Sequence, residues 1–321
     1  MIVAAPRSDG SALKLSQFFR VAASLAGVQA QIWLPDHADL GEASPWLPLL
    51  NEGFVRRSVH PAPALLILSD AADWKASAQL YRSTSGFTRL HLLWGADLRC
   101  WGHGAQARPA VRLAMGEGVA RALSTAQVFR ESIHTLPIGI DPEDLPAPSL
   151  ARSSVEVLIL GGHNPGLGLA LQERLRQRAT QTRLECAPWP MQQWLTALRD
   201  AAVVVVLSPP AGEPRLGLRR LAAMALQTPL ICDQTADDHL CRHQRNALIT
   251  PADPAALAEA VQLLLEPAAA SLKARLIDGG LATLVRHRRA RERLEFLQVL
   301  ENHGELMATA RRCHADATRS R

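Results

Sequence analysis

Two glycine-bearing turns in the second half of the chain hold the residues best suited to chemistry. The first, Gly161-Gly162-His163-Asn164-Pro165-Gly166-Leu167-Gly168, follows the apolar run 155–160 and precedes a helical pattern that continues to about Arg178. A turn of this kind lets backbone amides approach a phosphate, and the positive end of the following helix favours its charge. The second, Glu213-Pro214-Arg215-Leu216-Gly217-Leu218-Arg219-Arg220, follows the apolar run 201–207. It places the Gly217 and Leu218 amides where a helix begins, again facing an anion. Arg215, Arg219 and Arg220 either lend that anion positive charge or are ordinary surface charges.

The first half offers weaker signals. Asp9-Gly10-Ser11 lies between a strand and a helix, where it is either a ligand loop or a plain connecting turn. Farther on, Trp94-Gly95-Ala96-Asp97 follows the apolar run 90–93, and Cys100-Trp101-Gly102-His103-Gly104 comes just after it. Trp94 and Trp101 are either a stacking platform for a ring or core residues. His103 is a candidate exposed polar group, although a lone histidine in a loop is commonly structural or solvated.

Strands and helices must alternate to position these turns, and the hydrophobic pattern provides that. In the first half it predicts strands over 2–5, 31–34, 64–68, 90–93 and 132–136, and helices over 13–26 and 110–123. A proline-containing stretch, 144–154, reads as a linker. The second half predicts strands over 155–160, 201–207, 230–232 and 248–249, a strand and helix within 184–198, helices from 218 and from 254 to about 266, and mostly helix over 268–310. Short apolar runs rich in Val, alternating with helices, indicate parallel sheets buried on both faces. With 321 residues there is room for two domains: an N-terminal Rossmann-like domain over 1–145, and a C-terminal Rossmann-like domain over 146–321 that ends in a helix.

The formal charge is +5, and Lys occurs only at Lys14, Lys75 and Lys273, so the positive charge is almost wholly arginine. Such a balance fits an anionic small ligand, nucleic acid or an acidic membrane face without choosing among them. The five cysteines are scattered, with no Cys-x-x-Cys pair, which implies reduced thiols and a cytoplasmic protein, in contact at most with the inner membrane surface. No metal or cofactor site is expected. The run Arg286-His287-Arg288-Arg289-Ala290-Arg291-Glu292-Arg293 is either a solvated helix face or a contact for phosphate on lipid or nucleic acid.

Over residues 201–266 the chain resembles the C-terminal half of group 1 (family four) glycosyltransferases of the GT-B fold. Leu216-Gly217-Leu218, Ala223-Met224-Ala225, Thr228-Pro229, Asn246-Ala247-Leu248 and the stretch 251–258 fall in register with that family's motifs. Pro137-Ile138-Gly139-Ile140-Asp141 matches its segment at the domain junction. The resemblance implies two Rossmann-like domains facing a cleft and transfer of a sugar, with retention, from a nucleotide diphosphate sugar to an acceptor such as a cell-envelope glycan or lipid precursor. It implies donor binding by Gly161, Gly162, His163, Asn164, Arg215, Gly217, Leu218 and Arg219, with Glu213 receiving hydrogen bonds from donor hydroxyls. Asp9, Gly10, Ser11, Trp94, Gly95, Asp97 and His103 border the acceptor side, and Glu213 and Asp97 are the catalytic candidates. The chain departs from the family pattern at Pro214 and Ala222 in place of two Glu, Gly162 and Leu167 in place of an Arg and a Lys, Trp94 in place of a His, and Ile138 in place of an Asn. A non-catalytic binding or scaffold protein of the same fold, and a transferase acting on modified DNA, are the alternatives.

Overall fold

A computed structural model describes residues 2–3, 10–25, 30–33, 44, 46–56, 65–68, 88–94, 110–127, 129, 133–148, 156–186, 189, 191–208, 217–233 and 240–303. The chain divides into two compact units. One comprises 1–115, 123–136 and the segment from Glu292 onward; the other comprises 116–122 and 137–291.

The first unit is built on a seven-stranded sheet. Its strands are β1 (Ile2–Val3), β2 (Ile32–Trp33), β3 (Val55–Arg56), β4 (Leu65–Leu68), β5 (Thr88–Leu93), β6 (Val111–Met115) and β7 (Ile133–Leu136), in the order β3-β2-β1-β4-β5-β6-β7. Every recorded pairing is parallel. The order reverses between β1 and β4, and helix α1 (Gly10–Ala23) follows β1. Gly10 and Ser11 therefore open a helix beside the switch point of this sheet, where open α/β sheets bind ligands.

One sequence expectation is corrected here. The stretch 110–123 is not one helix: Val111–Met115 is a strand between β5 and β7, and the helix α3 (Glu117–Thr125) begins after it (α2 is the short helix Leu47–Asn51). Gly116, at φ +99°, separates the two. That backbone region is open to glycine and strained for other residues, so the chain turns there. The apolar spacing of Leu113, Ala114 and Val119 matched a helical period by coincidence, and two flanking strands decided the outcome.

The C-terminal segment is anchored in this unit by a buried ion pair, Lys14 Nζ to Glu292 Oε2 at 2.7 Å, with both side chains almost fully covered. Beside it the Phe18 and Phe296 rings pack with centroids 4.4 Å apart.

The second unit holds a five-stranded parallel sheet of β8 (Val157–Leu160), β9 (Thr182–Glu185), β10 (Val203–Val206), β11 (Leu230–Asp233) and β12 (Leu248–Thr250), ordered β12-β11-β10-β8-β9. Its pairings are all parallel. Val157, Ile159, Val203, Val205 and Ile231 are buried in one core with Leu171 and Leu175 of helix α4 (Pro165–Arg176) and Leu257 and Val261 of helix α7 (Pro254–Leu265). Two-sided burial is what the valine-rich runs require. The remaining helices of this unit are α5 (Met191–Asp200), α6 (Leu218–Ala225) and α8 (Ala270–Leu284). Among the described residues no single helix is long and apolar enough to cross a membrane.

Candidate functional site

In the second sheet the strand order reverses between β8 and β10. The C-terminal ends of these two strands lead to the first glycine turn and to the helix that Gly217 caps, so the topology brings both to the crevice where such sheets take ligands. The first turn is shorter than its sequence suggests. Helix α4 starts at Pro165, which suits a first helical position because its missing N–H leaves nothing unsatisfied. Asn164 is its N-cap, with Oδ1 accepting from the Leu167 amide at 3.4 Å. Gly166 and Gly168 thus lie inside the helix, and the open turn is Gly161, Gly162 and His163.

The glycines differ in purpose. A Cβ at Gly168 would come within 2.9 Å of Leu184 Cδ1, and one at Gly161 within 3.3 Å of the Glu185 carbonyl oxygen. These two permit close packing of α4 and β8 against β9. A Cβ at Gly217 would overlap Leu240 Cδ1 at 2.2 Å, so the N-cap of α6 lies tightly against the segment beginning at Leu240.

A carboxylate at the end of β9 joins the two turns. Glu185, fully buried, accepts from Arg219 Nη1 and Nη2 at 2.6 Å each. The same carboxylate accepts from the Gly162 amide at 3.4 Å and the Trp189 amide at 2.9 Å. A bidentate arginine and carboxylate pair of this kind fixes direction as well as distance. The backbone after β8 and the first turn of α6 therefore converge on one point, and that point already accommodates a negative group. Arg219 has its charge matched within the chain.

A second buried network lies at the ends of β10 and β11. Asp233 accepts from the Ser208 amide at 2.7 Å and from the Ser208 hydroxyl at 2.5 Å, and the Arg220 guanidinium donates to Ser208 Oγ at 2.9 Å. Arg220 is thus an interior residue of α6 that braces the floor of the crevice. Next to it Cys232 Sγ and Cys241 Sγ lie 3.4 Å apart. The hydrogen bond from Cys241 lowers the Cys232 thiol, whereas that same contact and burial push Cys241 well up.

Of the candidate residues, Gly161, Gly162, His163, Asn164, Gly217, Leu218 and Arg219 are brought to one end of the second sheet. His163 is exposed, and Leu218 is buried beneath the helix it opens. Glu213 and Arg215 lie outside the described residues, as do Asp9, Gly95, Asp97 and His103. Trp94 directly follows β5, and its indole Nε1 is buried without a hydrogen-bond partner among the described residues. His91 is wholly buried, its Nδ1 2.7 Å from Arg112 Nη1; burial, and then the Arg112 charge, hold its pKa well below 6.5, so the imidazole is neutral and accepts. Among the described residues no three His, Cys, Asp or Glu side chains come together to hold a metal ion.

Sequence reasoning missed Glu185, Ser208 and Asp233. A signal was present: a carboxylate as the last residue of a short strand, at the edge of a parallel sheet that binds ligands, has to find a partner there.

Residues 145–267 match the family model described as glycosyl transferases group 1. No curated protein sequence matches the chain. Solved structures of similar fold include Anabaena HepE in complex with UDP and glucose, with a TM-score of 0.68 at 12% identity over 94% of this chain and 98% of that one. Sucrose-phosphate synthase from Thermosynechococcus elongatus has a TM-score of 0.66 at 13% identity, over 95% and 98%. A glycosyltransferase from Rickettsia africae gives 0.61 at 9% identity, over 94% and 97%. The two parallel sheets are those of the GT-B fold, and the resemblance seen in the sequence holds.

Proposed function

Given that residues 145–267 carry the group 1 glycosyltransferase pattern in a chain of GT-B fold, we propose that the protein transfers a sugar from a nucleoside diphosphate sugar to an acceptor hydroxyl. The observation that carries this reading is the meeting of Gly162 and Arg219 on the Glu185 carboxylate at the switch point of the second sheet. The donor diphosphate is assigned to this corner, at Gly161 to His163 and at Gly217 to Leu218, with Glu213 receiving hydrogen bonds from donor hydroxyls.

In the reaction the bond between the anomeric carbon and the β-phosphate oxygen breaks, the acceptor oxygen forms the new bond, and its proton passes to the departing diphosphate. Charge grows on the departing diphosphate, where fixed amides and a helix terminus act most strongly, at about 3 kcal/mol for each well-aimed donor. Glu185 acts here as a positioning residue that holds the N-terminal turn of α6 against the first glycine turn. Asp97 and Trp94 of the first unit, with Gly95, His103, Asp9 and the opening helical residues Gly10 and Ser11, are assigned to the acceptor. The resemblance supports retention at the anomeric carbon and an acceptor that is a cell-envelope glycan or lipid precursor; the fold itself does not select the acceptor. HepE was solved with UDP and with UDP-glucose, which makes UDP-glucose the first donor to examine.

A non-catalytic binder of the same fold is the second reading. It is favoured by Gly162 and Leu167 standing where the resembling family has cations, and by Arg219 being matched internally. Titration calorimetry with UDP and GDP, followed by assay of nucleotide release from their glucose and mannose conjugates with envelope extract as acceptor, separates the two. Saturable binding with release of nucleotide is expected. Binding without release leaves the binder, and absence of binding by any of these nucleotides overturns both.

A further inference from the structure

The turn 240–246, helix α8 and the residues just beyond it line an open pocket of about 70 Å³ in the second unit; its wall residue Leu240 packs against Gly217. Its walls carry Arg242, Arg245, Arg286 and His287 and no Asp or Glu.

The cavity is built by packing on both sides. Asn246, 3% exposed, donates from Nδ2 to the Leu240 carbonyl at 2.7 Å and to Thr283 Oγ1 at 2.8 Å, and its Oδ1 accepts from the Arg242 amide at 2.6 Å. Thr283 Oγ1 donates in turn to the Gly279 carbonyl at 2.8 Å. The turn approaches α8 so closely that a Cβ at Gly279 would stand 1.9 Å from the Arg245 carbonyl oxygen. These contacts fix the backbone from which two of the arginines project, and Arg286 and His287 follow Val285, the C-cap of α8. The terminal carbonyls of that helix do not need them: the Thr283 carbonyl accepts from the Arg286 amide and the Leu284 carbonyl from the His287 amide.

The neighbouring arginines show what the chain does with cations it uses structurally. Arg288 donates to Glu143, Arg289 pairs with Asp144, and the Arg289 amide donates to Asp141. Arg242, Arg245 and Arg286 have no side-chain hydrogen bond or ion pair among the described residues. His287 donates from Nδ1 to the Ile138 carbonyl at 3.0 Å; burial lowers its pKa, the bond to Ile138 opposes this, and the charges of Arg291 and Arg286 add to the lowering against Glu117. Three unmatched guanidinium groups around one small space repel each other, and an anion among them removes that repulsion. A single water needs only about 10–15 Å³ of such space, so the pocket holds a group of several heavy atoms.

We propose that this cavity binds a phosphate group through Arg242, Arg245 and Arg286, either as free phosphate or as the phosphomonoester of a lipid headgroup. Guanidinium forks match phosphate oxygens in pairs, which favours phosphate over a carboxylate of one charge. The site is independent of the sugar-transfer reading and stands if that reading fails.

The test uses the full chain with two probes: inorganic phosphate by titration calorimetry, and flotation with phosphatidylcholine vesicles containing phosphatidic acid. Both are repeated with R242Q/R245Q/R286Q, with Arg245→Gln alone, and with UDP as a control. Saturable phosphate binding that weakens at least tenfold in the triple variant, and partly in Arg245→Gln, is expected, with UDP affinity unchanged. The same loss seen only with vesicles supports the site and identifies the lipid headgroup as its source of phosphate. Absence of binding by both probes, binding indifferent to the substitutions, or loss of UDP binding in the triple variant overturns the proposal. Thermal melts matching the unsubstituted chain verify that these exposed changes leave the fold intact.

Discussion

Glu185 is the residue on which the candidate site turns, because its carboxylate receives four hydrogen bonds from three separate segments. Removing one member of a buried pair leaves the other uncompensated, at about 3–5 kcal/mol. Glu185→Ala is therefore expected to lower the stability of the second unit by that order in urea denaturation. Nucleotide affinity should fall with it, since Arg219 and the Gly162 turn lose their common anchor. A variant that keeps both its stability and its UDP affinity would remove Glu185 from any positioning role. His91 offers a pH test in the first unit. Its pKa in the fold is held well below the ordinary 6.5, so the unfolded chain binds the proton more readily. Its contribution is complete above about pH 6.5 and is lost as pH falls below that value, at up to about 1.4 kcal/mol per pH unit. The half-buried His287 acts in the same direction in the second unit. Denaturation at pH 7.5 and 5.5 should show the decline, and His91→Gln should flatten it in the first unit.

At the scale of elements, two glycines in helices make opposite demands. Gly279 in α8 faces the Arg245 carbonyl at a distance that no Cβ tolerates, whereas a Cβ at Gly166 in α4 would meet nothing within 4 Å. Gly279→Ala forces backbone apart, and overpacking of this kind costs about 1–3 kcal/mol. Gly166→Ala only removes freedom from the unfolded chain and is expected to stabilise by about 0.5 kcal/mol. Melting temperatures of the two variants should move in opposite directions, and equal shifts would contradict the packing described for α8. The strand Val111–Met115, read from sequence as the start of a helix, makes a related point. Five residues of mixed apolar spacing fit either period, and the neighbours β5 and β7 settle the matter.

At the scale of the whole molecule, the helical residues 289–303 begin in one unit and continue in the other. Within the first unit the Lys14 to Glu292 pair and the Phe18 to Phe296 contact fasten them. Glu292→Ala would leave Lys14 charged, buried and unmatched, at about 3–5 kcal/mol. Hydrogen exchange should then rise in α1 while the core strands of the second unit keep their protection. Uniform loss of protection in both units would mean that they do not unfold separately.

What the sequence determined by itself was the repeat of short apolar runs and helices, and hence two parallel sheets. Burial on both faces leaves such a strand almost no choice of residue, so its pattern survives in a single chain. The positions of Gly161 to His163 and of Gly217 were legible for the same reason, since each must follow one of those runs. The sequence also carried the group 1 resemblance, in Leu216 to Leu218, Ala223 to Ala225 and Thr228-Pro229. Only the tertiary structure decided which charges are spent. Arg219 is matched by Glu185, Arg220 braces Ser208 and Asp233, Arg288 and Arg289 are tied to the 141–144 turn, and Arg242, Arg245 and Arg286 are left around a cavity. Partners 12 to 148 residues apart along the chain leave no periodic trace, because an ion pair constrains distance in space and nothing about spacing in sequence.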